Sequence, residues 1–503
     1  MKAFWVGGLR SGCRWLKWLL GAIVVLVVCQ FLVSQRIIFP FDAPDERVHF
    51  ARAYDIANAP WLVRQFRQDA RVAVGAYFYD PQPINDCYGK PDCIKSPSSA
   101  SLSSLPLSGF FASVYRQGFA GSDNSFPYSG GNYLHLVPAL KLSGLLRFDV
   151  FTAYRVARWS AGLVYCLTAF VLVLYVYRYR GMPFDAFFAS LLLLVFALPS
   201  SVFLANSVSG DFLITAASVL LALLHIDACP GLVFARPWAV RLQPLLHLIM
   251  LAKLPYLPLV IASNGVALVR FKEARRPFYI FSNLVVIGYV LWWYWRSHAA
   301  VDALFKSQRG NWAGSRLTIA QLSEFVWGAT STGLSQAADL YRQFVAVLGN
   351  GPIARIFYPE SFAAFHLGIV CAILVFVALA VYRSGIPVQF LNSCRSSILS
   401  LWVSAVIATY YLICYSLRLY WASDYPLDGL QGRYFLPVAP FLVVCLKEFL
   451  KGSIIVSSGF QSRRPSSASL AGFNLAVNAV LGLVVVQYVF YLKNLFAYYG
   501  SAI

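Results

Sequence analysis

Nine apolar runs, at 18–38, 152–177, 183–204, 211–227, 277–296, 363–382, 398–417, 434–449 and 471–492, constrain this chain more than any other feature. About 20 consecutive apolar residues match the hydrocarbon core of a bilayer. Inside that layer every backbone N–H and C=O must be satisfied internally, so such runs fold as helices. A tenth apolar stretch, 243–270, is interrupted by Pro255 and Pro258. Composition closes off a soluble globule. Only 12% of the 503 residues are charged and 59% are hydrophobic, with a mean hydropathy of +0.63. A soluble domain carries about 25% charged residues, and half that share cannot cover a body of this size with polar surface. The expected fold is all-α: one integral membrane domain over residues 1–503, with about nine to eleven membrane helices.

Lys and Arg total 41 against 21 Asp and Glu, a net charge of +20. They cluster beside the apolar runs, which fits cytoplasmic loops and anionic headgroups and argues against nucleic acid. Arg178 and Arg180 follow the second run, and Arg236 and Arg241 the fourth. Arg270, Lys272, Arg275 and Arg276 precede the run at 277, and Lys447, Lys451, Arg463 and Arg464 follow the run at 434. These loops are expected in the cytoplasm. Lys2, Arg10, Arg14 and Lys17 precede the first run, with no small-x-small cleavage site after it. This reads as an uncleaved first helix with a cytoplasmic N-terminus. Residues 34–150 and 297–361 become extracytoplasmic loops, the first too long for a mere connector. Stretch 243–270 lies between two cytoplasmic loops, so it makes no net crossing. It is either two short helices bent at LAKLPYLP or a re-entrant pair, giving nine or eleven crossings and an outside C-terminus.

Cys29, Cys166, Cys371, Cys414 and Cys445 lie in or beside apolar runs and read as small hydrophobes. Cys87 and Cys93 flank YGKPD in the first outer loop and are disulfide candidates there. A zinc pair is the weaker reading, because the spacing exceeds C-x₂₋₄-C and no second pair follows.

The first outer loop opens with FPFDAPDERVHFARAYDIANA. Asp42 suits an N-cap and Pro44 the first turn of a helix running to about Asn58. Asp45, His49 and Arg52 then share one face. Asp42 and Asp45 can serve as caps and Arg52 as a snorkelling anchor. Adjacent carboxylates at a membrane face are nevertheless costly unless something cationic or reactive meets them. Asp45 is the candidate general base toward a hydroxyl, with Glu46 second. His49 either orients Asp45 or makes a local hydrogen bond. In NSVSGD, Asn206, Ser207, Ser209 and Asp211 read as a helix cap or as substrate contacts. Lys253, in the broken stretch, favours an anion. Gln431 and Arg433 begin a late run, where Arg433 is a phosphate clamp or an interfacial anchor. P-loop, Rossmann, HExxH and GxSxG signatures are absent, which argues against an ATP-driven pump and those hydrolases. Few ionisable residues lie mid-span, which weakens a proton-coupled transporter.

PDERVHFARAY, SGGNYLHLVPAL, ANSVSGDFL, AKLPYLPL and LQGRYFLPVAPFL, in that order, resemble the motif series of a bacterial membrane family, domain of unknown function family 2142. Gly210 and Leu254 depart from the residues usual in that series. The family in turn resembles the GT-C glycosyltransferases, which draw on polyprenyl-phosphate sugars at the outer membrane face. The resemblance implies a GT-C-like helical fold in a bacterial inner membrane with an extracytoplasmic active site. It implies transfer of a hexose or pentose from a polyprenyl-phosphate donor to an envelope glycan or lipid, as in lipopolysaccharide or O-antigen modification. Asp45 and Glu46 would be catalytic, supported by His49 and Arg52. Lys253, Arg433 and Gln431 would bind the donor phosphate, and Asp211, Tyr128 and Tyr133 would touch substrate. The resemblance fixes no cofactor, and two acidic residues leave a divalent metal open. Two other readings stay open: a polysaccharide polymerase or ligase, and a flippase or transporter of lipid-linked glycans. A flippase would be marked by paired repeats and midplane charges.

Overall fold

The computed structural model describes residues 2–38, 46–58, 130–179, 182–226, 236–309, 319–345, 364, 366–372, 374–375, 397–421, 432–458 and 467–499. Among them the chain is helical and has no strand. The helices in order are α1 (Lys2–Ile37), α2 (Glu46–Asn58), α3 (Val137–Leu145), α4 (Val150–Arg178), α5 (Pro183–Phe196), α6 (Pro199–Ala205) and α7 (Gly210–Ile226). Then come α8 (Arg236–Met250), α9 (Leu257–Arg270), α10 (Pro277–Arg309), α11 (Ile319–Ser335), α12 (Ala337–Val345), α13 (Ser397–Trp421), α14 (Ala439–Ser458) and α15 (Ser467–Tyr499). Local chemistry sets several starts. The Asp149 carboxylate accepts from Thr152 N at 2.9 Å and caps α4. Pro183 and Pro199 open α5 and α6, where a missing N–H is harmless.

Among the described residues five helices are long and apolar enough to cross a membrane: Trp15–Ile37, Val150–Arg178, Pro277–Trp295, Ser397–Leu417 and Phe473–Phe496. α5 and α6 make a sixth if the bent pair counts as one span. Nine to eleven were expected, and the difference has physical causes. Run 183–204 bends by 62° ahead of Pro199. The proline ring disfavours helical geometry in the residue before it. Run 211–227 forms the 17-residue α7. At a rise of about 1.5 Å per residue that helix is about 25 Å long, short of a full crossing by itself. Half of run 363–382 falls outside the described residues.

The core lies where α1 and α15 pair and α4 and α5 flank them. Gly162 of α4 permits the close crossing with α1: a Cβ there would sit 2.2 Å from the Phe31 ring. The outward faces stay apolar, with Trp18, Val25, Leu163, Leu167, Phe281 and Trp295 exposed. A continuous apolar exterior of this kind suits lipid rather than water.

The broken stretch folds back on itself. Gln243 Nε2 and His247 Nε2 of α8 reach Ser263 Oγ of α9 at 2.8 and 3.1 Å. Partners 20 and 16 residues apart meet across the break, so α8 and α9 run antiparallel. Their tip is Leu251–Tyr256, and Arg236 and Arg270 return to the same end of the bundle.

Candidate functional site

The hairpin tip meets the start of α7. Ser209 Oγ accepts from Asp211 N at 3.2 Å. Serine thus does the capping, and the Asp211 carboxylate is released for another contact. Asp211 Oδ1 lies 2.6 Å from Lys253 Nζ. Both side chains are largely buried, where an ion pair survives only with good geometry. Lys253 sits in extended backbone at the tip, held by Tyr294, whose hydroxyl oxygen accepts from Leu254 N at 2.9 Å.

Arg433 arrives on the turn Gly432–Phe435, which packs against α12. Tyr256 Oη donates to Tyr434 O at 3.0 Å and ties this turn to the hairpin. Lys253 Nζ and the Arg433 guanidinium lie 5.3 and 5.6 Å from the Tyr434 ring centre. Both are within cation–π range. Lys253, Arg433 and His49 each act electrostatically on Asp211. The ammonium has three donors and the guanidinium a planar fork, so both can grip an oxyanion while Lys253 keeps its carboxylate.

α2 is fastened beside this cluster through Glu46. Its Oε1 accepts from Val208 N at 2.6 Å and lies 4.0 Å from Arg158 Nε. Arg158 donates to Asn206 O at 2.8 Å and to Ile38 O at 2.9 Å. Gln35 Nε2 donates to Asn206 Oδ1 at 3.2 Å, and Asn206 Nδ2 to Gln30 Oε1 at 2.8 Å. This network joins α1, α2 and α4 to the NSVSGD turn, and Glu46 ties α2 to it. One turn further along α2, His49 Nδ1 lies 2.6 Å from Tyr133 Oη. The Arg52 guanidinium stands 5.4 Å over the Trp293 ring.

The segment GGNYLH forms another wall. Gly130 adopts φ +86°, a left-handed conformation that favours glycine. A Cβ on Gly131 would lie 2.6 Å from Leu248 O, so glycine is needed for the turn to reach α8. Gly210 makes room in the same way, since its Cβ would lie 2.2 Å from Asn132 Nδ2. The Asn132 amide is fully buried, and among the described residues neither its oxygen nor its nitrogen has a hydrogen-bond partner. The same holds for both ring nitrogens of the buried His135. The His135 ring lies 6.2 Å from the Phe212 ring. Burial, and then His49 nearby, lowers its pKa to about 3. His135 is therefore a neutral imidazole.

The structure thus brings together His49, Tyr133, Asp211, Lys253 and Arg433 from five distant segments, with Glu46 and Arg52 on the same short helix. His49 Nδ1 meets the Tyr133 hydroxyl, 84 residues away in the chain. Asp42, Asp45, Gln431, Tyr128, Cys87 and Cys93 lie outside the described residues. Among the described residues Cys29, Cys166, Cys371, Cys414 and Cys445 are free thiols. Among them, too, no three His, Cys, Asp or Glu side chains gather as metal ligands would. Sequence reasoning missed Arg158, Asn132 and His135. Arg158 leaves a signal, a charge in the third turn of a long apolar helix. Asn132 and His135 lie in SGGNYLHLVPAL on either side of Tyr133, where a neutral amide and an imidazole in an irregular segment leave no comparable signal.

A family model described as "Predicted membrane protein (DUF2142)" matches residues 17–442. No curated protein and no solved structure matches the chain.

Proposed function

We propose that this chain, which belongs to the DUF2142 family of predicted membrane proteins, is a glycosyltransferase that uses a polyprenyl-phosphate-linked sugar. The observation that carries the reading is the convergence of Lys253 and Arg433 on the single carboxylate of Asp211, at the α2 end of α7. Buried cations at a membrane boundary are costly, and they are kept where an anion is handled. A lipid-borne phosphate reaches such a site by lateral diffusion, its polyprenyl tail along the exposed apolar face.

In the proposed reaction Asp45, the residue before Glu46, takes the proton of an acceptor hydroxyl. The acceptor oxygen attacks the anomeric carbon as the bond from that carbon to the phosphate oxygen breaks. Polyprenyl phosphate leaves with the electron pair, its charge met by Lys253 and Arg433. Attack from the face opposite the phosphate inverts the anomeric centre. The acceptor is an envelope glycan or lipid. The site faces outside the cytoplasm, with the N-terminus inside, in a bacterial inner membrane. Nucleotide sugars are absent from that compartment, which is why the donor comes attached to lipid.

The test is release of polyprenyl phosphate by purified protein given polyprenyl-phosphate hexoses and pentoses and an envelope lipid extract. Wild type should release it, and Asp45→Asn should lose roughly a hundredfold or more in rate while keeping its melting temperature. Equal release by both would remove Asp45 from its role. Lipid movement between leaflets without release would favour a flippase.

A further inference from the structure

Asn132 and His135 are uncharged, buried and, among the described residues, without hydrogen-bond partners, although each carries two polar atoms. Burying such groups unmet is costly, and native structures seldom tolerate it without a reason. Two of these side chains three residues apart, in the segment that lines Asp211, make a local pattern. The Asn132 amide lies against Gly210, the residue before Asp211, and the His135 ring against Phe212, the residue after it. Tyr133, between them, reaches His49 at 2.6 Å.

We infer that Asn132 and His135 form a neutral subsite that reads sugar hydroxyls, set beside the cationic pair that holds phosphate. The inference rests on the glycosyltransferase reading and names which part of the substrate lies on which wall. An amide offers both a donor and an acceptor, and so does a neutral imidazole. A sugar hydroxyl needs both. A phosphate takes only donors, so an amide oxygen and an unprotonated ring nitrogen would repel it. His135 is held in the neutral form by its surroundings, which suits it to hydroxyls and not to the anion. The two chemistries are thereby divided. Lys253 and Arg433 supply charge, while Asn132 and His135 supply direction. A site built to hydrogen-bond a hydroxyl rejects a ligand that lacks it, because its own buried groups then go unmet.

The full chain in lipid nanodiscs is tested for binding of bare polyprenyl phosphate and of polyprenyl-phosphate-linked glucose, galactose, mannose and arabinose. Wild type should prefer at least one sugar-bearing lipid to the bare lipid. Asn132→Leu, close in shape, should reduce that preference about tenfold and leave the bare lipid unaffected. His135→Gln, which keeps a donor and an acceptor, should retain more of the preference than His135→Leu. Without ligand, Asn132→Leu should melt at or above the wild-type temperature, since it removes an unmet buried amide. A ligand-free Asn132→Leu that melts lower would make the amide structural and overturn the inference. So would a wild type that binds bare and sugar-bearing lipids equally, and that result would leave the phosphate reading standing. Failure of wild type to bind any of these lipids would overturn the transferase reading and the inference with it.

Discussion

The two ends of α7 both bury charge, but they organise it differently. At the end away from α2, each cation is matched to one carboxylate. Arg270 Nη2 lies 2.5 Å from Glu448 Oε2, and Lys447 Nζ lies 2.6 Å from Asp185 Oδ1. Around them His225, Gln243 and His247 bond to one hydroxyl, Ser263 Oγ, at 2.9, 2.8 and 3.1 Å. At the α2 end two cations bear on one carboxylate, Asp211, next to two neutral side chains that bond to nothing among the described residues. The first arrangement pairs each charge and holds α7, α9 and α14 together, and of its buried side-chain atoms only His225 Nδ1 and Gln243 Oε1 lack a hydrogen-bond partner among the described residues. The second is the arrangement proposed to meet a lipid-linked sugar phosphate. The hairpin of α8 and α9 links them, carrying Ser263 in its shaft and Lys253 at its tip.

Removing one cation from each end separates the two designs most strongly. Lys447→Met strands Asp185 in the interior and should cost about 3–5 kcal/mol in an unfolding titration. Lys253→Met should cost less, because Arg433 and His49 still act on Asp211. Adding Asp185→Leu to the first variant should restore both stability and lipid binding. Adding Asp211→Leu to the second should restore stability alone. Recovery of lipid binding in both pairs would erase the distinction.

A smaller effect is expected where the GGNYLH wall reaches α8. Gly131→Ala brings a Cβ against the backbone oxygen of Leu248, which cannot step aside. Overpacking of this kind should cost about 1–3 kcal/mol by thermal melting. Gly482→Ala, with nothing within 4 Å among the described residues, should be close to neutral. In the hairpin shaft, Ser263→Ala removes the hydroxyl shared by three side chains and should cost about 1–2 kcal/mol. Lipid binding should be retained unless the shaft also positions Lys253, in which case affinity falls in step with stability.

Acid should act at the α2 end with the smallest effect. His135 titrates at about 3 when folded and at 6.5 when exposed, so its folded pKa is lowered. The unfolded chain therefore takes up a proton first. The contribution of neutral His135 is complete above pH 6.5 and shrinks as pH falls toward 3. Going from pH 7.5 to 5.5 should cost about 1 kcal/mol that His135→Gln does not lose. An identical pH slope in wild type and variant would show that the ring is not buried in the neutral form.

Helix positions, the break at LAKLPYLP and the five polar segments are legible in the sequence because apolar runs and prolines act locally. The convergence of His49, Asp211, Lys253 and Arg433 follows from motif identity rather than from any spacing in the chain. The contact that holds Glu46 is not legible. Its partner is a backbone N–H, that of Val208, and a backbone group leaves no residue type to read. Among the described residues apolar runs outnumber membrane-length helices, because they report burial without telling a lipid-facing helix from a short interior one. α7 is such a case, with 14 of its 17 residues buried in protein.

The most direct test is the affinity of the full chain for polyprenyl phosphate in nanodiscs, wild type against Arg433→Met and Arg270→Met. Arg433→Met should lose roughly tenfold or more, since a charged hydrogen bond is worth about 1.5–3 kcal/mol. Folded Arg270→Met should keep wild-type affinity. Equal affinity in all three proteins, or a loss confined to Arg270→Met, would contradict a phosphate site built on Lys253 and Arg433.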